Sequence, residues 1–226
     1  FVSVQGSFRR TCFASSLARL VRFPPGHGVA LVPPQPPLSA DEAAAAGRVV
    51  PKEAVALVDH LYEHALGVES LFLESGVEQE MVAVRECLDE ERALPPRGVS
   101  PHSVADSLVH LLQSLEEAVV PARDFHAALV CITLADARRL LARLPAPHRA
   151  TFLYLLGFVR ALLQHRRENR LSPSALAVVL GNVLLREPPR ARLVAPPRGH
   201  ADQRMRRRYA FIELFLHPDA SLHEPT

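Results

Sequence analysis

The chain has 226 residues, 48% hydrophobic and 22% charged, a balance that supports one sizeable buried core and excludes an intrinsically disordered chain. Its formal net charge of +2 gives no general attraction to nucleic acid or to anionic membrane. Cys12, Cys87 and Cys131 are odd in number with no CxxC pair, which argues against a disulfide framework or structural zinc and for a reducing compartment.

No run of residues is apolar for long enough to span a bilayer. Lys52 is the sole lysine, so nearly all the positive charge is arginine. Arginine grips planar anions better than lysine, yet a GC-rich coding sequence enriches Arg, Ala and Pro alike and is the simpler cause. The chain opens on Phe1 rather than Met and is expected to be a piece of something longer.

In chain order, residues 1–23 open with FVSVQG, where Phe1, Val2 and Val4 alternate with polar residues as a strand does. A lone strand is unstable, so its sheet is expected upstream. Residues 24–48 hold prolines at 24, 25, 33, 34, 36 and 37, which forbid ladders and helix and predict a semi-rigid linker. Ser39 or Asp41 is placed to cap a short helix through the alanine run.

From about residue 49 to 217 the period becomes helical, and 218–226 reads as a tail. Ala54, Leu57, Val58, Leu61 and Ala65 share one face of a first helix that Pro51 opens. A second runs from Val77 to Glu90, a third from Val104 to Leu115. Further helices are expected near 122–131, 134–144, 148–166, 173–186 and 201–216, with Phe152 to Leu163 central because it is apolar on most sides. The fold class is therefore all-α over most of the chain.

Few residues announce chemistry directly. His60, Glu63 and His64 match H-x-x-E-H, where two histidines one turn apart can share a metal. With no third ligand in view, a polar helix flank is the plainer reading, and neither metal nor cofactor is expected. Arg204, Arg206, Arg207 and Arg208 form the densest basic cluster. It reads as a solvated helix start, with phosphate or acidic-lipid contact as the alternative. The cysteines read as small apolar residues. No nucleophile elbow, P-loop or dinucleotide fingerprint occurs.

One order of segments says more. GVESLFLESG (67–76) resembles the G-x-x-x-x-G-I-F-R-x-S-G loop of RhoGAP domains; VADSLVHLLQSLEEAVVP (104–121), LPAPHRATFLYLLGFVRALL (144–163) and NRLSPSALAVVLGNVLL (169–185) are similar to three later family helices. VPKEAVALVDHLYEHA (50–65), HSVADSL (102–108) and LLREPP (184–189) resemble the RhoGAP-like domain that ends the inositol polyphosphate 5-phosphatases of the Lowe-syndrome (OCRL) and type II group. FVSVQGSFRRTCFASSLARL (1–20) is similar to the last strand and exit of the immunoglobulin-like ASH β-sandwich before that domain. The resemblance implies a RhoGAP-like helical bundle.

It also implies a mechanism to check residue by residue. A RhoGAP arginine neutralises charge developing on the transferred phosphoryl group, worth about 10³–10⁵ in rate. That position here is Leu73, followed by Glu74. The family's supporting lysine and arginine fall on Val109 and Gln113, its asparagine on Ala175, and its closing Pro-Asn on Asn182-Val183. The expected function is a catalytically inactive interaction module; the alternative is an active GTPase-activating protein taking its arginine from Arg85 or from 204–208.

The partners so implied are small GTPases of the Rab and Rac/Cdc42 types and endocytic adaptor peptides, with no nucleic acid. Phe13 matches the Rab-contact region, although packing of the strand exit on the helical domain is an equal reading. Val55 stands at the adaptor groove, where some relatives carry tryptophan. The implied location is cytoplasmic, on endosomal or Golgi membranes, with indirect membrane association.

Overall fold

The computed structural model describes residues 50–90, 92, 94, 98–187 and 200–217. The expected strand at 1–23, the linker at 24–48 and the tail at 218–226 lie outside the described residues. Among those residues nine helices and no strand occur: α1 Lys52–His64, α2 Glu78–Asp89, α3 Pro101–Ser114, α4 Phe125–Val130, α5 Leu134–Arg143, α6 Ala146–Gln164, α7 Arg166–Asn169, α8 Pro173–Leu184 and α9 His200–Leu216.

Local chemistry fixes the helix starts. Ser100 and Ser172 accept hydrogen bonds from the amides of Ser103 and Ala175, each followed by a proline in the first turn. Thr133 and Asp136 close a reciprocal capping box on α5. The helix expected near 148–166 is α6, two residues earlier at each end; a further single turn, α7, follows it and is stopped by Arg170 in the left-handed region at φ 57°. Hydrophobic periodicity cannot show this extra turn, because residues 164–170 are all polar.

The core joins every helix except the short α7. Leu57, Leu61, Leu111, Leu155 and Leu156 are fully buried, and Phe152, Phe211 and Phe215 meet edge to face at 5.3–6.2 Å. The most extensive helix pairing is α8 against α9. It is permitted by Gly181, where a Cβ would come within 2.8 Å of the Tyr209 ring. Helices α1 and α2 both pack on α3, and α3 on α8.

Polar ties close the frame. Arg186 donates to the carbonyls of Gln113 and Leu115 at the end of α3, satisfying groups that a helix C-terminus leaves orphaned. His148, buried on α6, donates from Nδ1 to the Val119 carbonyl at 2.9 Å. No helix among the described residues is long and apolar enough to cross a membrane.

Candidate functional site

The segment from Ala65 to Val77 joins α1 to α2 as an ordered loop. Its turn runs from Ser70 to Leu73, closed by Leu73 N–H to Ser70 O at 2.8 Å. Phe72 holds the third place at φ 69°, the positive-φ position of a type II turn, and Ser70 is left-handed at φ 57°. Each such non-glycine conformation costs on the order of 1–2 kcal/mol, so neighbours must impose it. Leu71 is fully buried beneath the turn, and Phe72 meets Phe158 edge to face at 6.3 Å.

Two polar anchors hold the legs of this loop. At the entry, fully buried Asn169 donates from Nδ2 to Leu66 O and Leu162 O, both at 2.8 Å. Its Oδ1 accepts from Leu171 N at 3.0 Å, and its carbonyl accepts from Ser70 N at 2.9 Å. At the exit, Gly76 N donates to Asp106 Oδ2 at 2.7 Å, and Val77 N to Ser103 Oγ at 2.9 Å.

Ser103 Oγ in turn donates to Glu80 Oε2 at 2.6 Å, and Ser100 N donates to the same oxygen at 2.8 Å. These bonds, led by that from Ser103, hold the Glu80 carboxyl below its ordinary value of 4.5. Only glycine fits at 76, because a Cβ there would lie 2.4 Å from Ser103 Cα.

Leu73 is thus carried at a fixed place, half exposed at 50%, with Glu74 exposed beside it. Beside the turn lies a shallow hollow with a wholly apolar lining that includes Phe72, Val109, Phe158, Val179 and Val183. Two of the sequence candidates, Val109 on α3 and Val183 on α8, therefore meet at one feature. Gln113 is exposed one turn beyond Val109, and Ala175 is partly exposed one turn before Val179. Val183 is only 3% exposed; it forms a wall of the hollow rather than a surface of its own, and its neighbour Asn182 is the exposed residue.

Other expectations lie elsewhere. Val55 on α1 is partly buried against the core. Phe13 lies outside the described residues. His60 and His64 touch edge to face at 4.7 Å, and burial, with the His64 charge added, pushes His60 below its ordinary value. Among the described residues no three His, Cys, Asp or Glu side chains are grouped to hold a metal. Arg85 lies about 12 Å along α2 from the loop exit at 1.5 Å per residue. In the basic cluster, Arg204 pairs with Glu187 at 2.7 Å, and Arg208 donates to Leu185 O while stacking on Tyr209.

The supports of the loop escaped the sequence reading. Asn169 makes its decisive bond across 103 residues of chain, and Ser103, Asp106 and Glu80 look like ordinary polar positions on helices. Only the glycine at 76, before an apolar-periodic run, hinted at a tight exit.

A profile of the RhoGAP domain matches residues 51–189. The type II inositol 1,4,5-trisphosphate 5-phosphatase of Mus musculus is 35% identical over 142 residues, covering 62% of this chain and 14% of that protein. Rho GTPase-activating protein 4 of Homo sapiens is 30% identical over 152 residues, covering 63% of this chain and 16% of that protein. The chain thus spans a small fraction of the length of the curated relatives it matches. The crystal structure of human Rho GTPase activating protein 15 has a TM-score of 0.70 at 19% identity, over 91% of this chain and 89% of that one. The all-helical fold is the same.

Proposed function

The chain belongs to the RhoGAP family, and on that premise we propose that it is a catalytically silent interaction module of a phosphoinositide 5-phosphatase. The observation that carries this reading is the side chain at the tip of the loop. Leu73 is held out to solvent on a turn anchored at both ends, but it has neither charge nor hydrogen-bond donor. Phosphoryl transfer needs a preorganised cation at that place. The walls beside it, Val109 and Val183, are apolar as well.

Such a surface recruits rather than accelerates. Small GTPases of the Rab and Rac/Cdc42 types dock on the loop face and on the segment around Phe13, and endocytic adaptor peptides dock near Val55 on α1. These contacts bring the parent phosphatase to endosomal or Golgi membranes. Support for the parentage is the 35% identity to the type II enzyme, which carries the phosphatase name.

A single-turnover GTP hydrolysis assay with Rac, Cdc42 and Rho tests the claim. Stimulation stays below about tenfold, against the 10³–10⁵ of a true arginine finger. A hundredfold stimulation sinks it and favours the alternative, an activator that borrows Arg85 or an arginine of 204–208. Pull-down with GTP-loaded Rab and Rho proteins and an adaptor peptide then assigns the partners.

A further inference from the structure

The tip of the 65–77 loop withholds main-chain donors as well as positive charge. The amides of Leu73 and Glu74 both turn back onto the Ser70 carbonyl, at 2.8 and 3.2 Å, so neither N–H is left for a group outside the chain. Leu73 itself is aliphatic, and Glu74 stands exposed beside it. The side-chain donors flanking the turn, the Ser70 and Ser75 hydroxyls, are uncharged. Arg170 borders the loop through the bond from Ser70 N to Asn169 O, but its guanidinium is paired with Glu69 at 2.8 Å. The tip is also held in place, with Leu71 fully buried beneath it and Phe72 seated on Phe158.

In GTP hydrolysis a water oxygen bonds to the γ-phosphorus as the bridge to GDP breaks, giving GDP, phosphate and a proton. Negative charge shifts among the phosphate oxygens on the way, and water or preorganised donors and cations stabilise it. A leucine laid over the phosphates displaces that water and puts no donor in its place. A carboxylate one residue away adds repulsion, strongest where water is excluded.

We propose that the chain protects the GTP-bound state of its partner: docked through the loop, it slows hydrolysis and bars the same face to active GTPase-activating proteins. The inference rests on the docking of a small GTPase on the loop face, proposed above, and adds the direction of its effect on the nucleotide. The resemblance of residues 67–76 to the arginine-bearing RhoGAP loop implies that both proteins use one face of the GTPase. Two bodies of the same helical fold exclude one another there by volume. Such a module prolongs a signal instead of ending it.

Single-turnover GTP hydrolysis by Rac tests it, with the whole chain added in rising concentration, alone and beside a limiting amount of an active, arginine-bearing RhoGAP domain. Binding is followed in parallel through a fluorescent, non-hydrolysable GTP analogue on Rac. At saturation the chain lowers the intrinsic rate about threefold. At about ten times its Kd it lowers the stimulated rate about tenfold, by mass action. Leu73→Asp, at a half-exposed position that leaves helical circular dichroism unchanged, raises the Kd about tenfold and weakens both effects together. Val130→Asp, exposed on α4, changes neither. Binding with an unchanged or faster intrinsic rate, or with an undiminished stimulated rate, overturns this inference and leaves the docking standing. Absence of binding overturns the docking and the inference together. Protection by Leu73→Asp equal to that of the native chain, or equal loss in Val130→Asp, also overturns the inference, because the loop tip would then not be the part that covers the nucleotide.

Discussion

Beneath the 65–77 loop, Asn169, Ser103, Asp106 and Glu80 meet backbone amides at 2.7–3.0 Å, whereas on its outer side Leu73, Val109 and Ala175 offer neither charge nor donor. On the underside, buried Asn169 and Ser103 and part-buried Asp106 and Glu80 meet the backbone donors that face them. The outer side resembles a contact surface. The contrast teaches that holding a residue in place and giving it chemistry are separate tasks. On the function proposed above, this loop performs the first without the second.

The sharpest way to break the comparison is to remove the underside. Asn169→Ala removes the side-chain donor from the Leu66 and Leu162 carbonyls, of which Leu162 keeps the His165 amide, and takes the acceptor from the Leu171 amide, at a cost of about 3 kcal/mol. Urea denaturation measures it; a loss under about 1 kcal/mol shows that water replaces the side chain and that the anchor was overstated. Gly76→Ala comes next. Its methyl group would meet the Ser103 backbone, so the loop exit must shift, at about 2 kcal/mol, with faster proteolysis between α1 and α2.

Glu80→Gln probes the same underside by pH. The Glu80 carboxyl titrates below its ordinary 4.5 in the folded chain. Its stabilisation is therefore complete above that pH and is lost as pH falls through the lower folded value. The stability gap between native chain and variant should close on acidification below pH 4.5, and a gap constant with pH excludes Glu80 as the source. The smallest effect sharpens the outer side: Leu73→Arg restores the cation but none of its neighbours, so GTP hydrolysis by Rac or Cdc42 rises less than about tenfold. A larger recovery would mean that Val109, Gln113 and Ala175 matter little.

Much of the frame was legible in the sequence. The 3.6-residue period placed α1 and α2 within two residues, because each buries one continuous stripe. The start of α3 was read three residues late, since Val104 marks the first apolar position while Ser100 and Pro101 mark the real start. The assignment of Leu73 rests on the surrounding GVESLFLESG motif, which sets its register within the loop. The burial of Val183 could not, because α8 is apolar on several sides and periodicity then has no preferred face. Asn169 was invisible for a different reason: nothing local distinguishes a buried asparagine from a capping one.

The left-handed backbone at Ser70 and Phe72 bears on time as well as on shape. A loop already locked into a conformation that an isolated peptide avoids has little left to order when another surface arrives. Encounter then needs no search through loop conformers, and its rate is set by diffusion and orientation. Substitutions on the outward face should accordingly register in how long a complex lasts rather than in how often it forms.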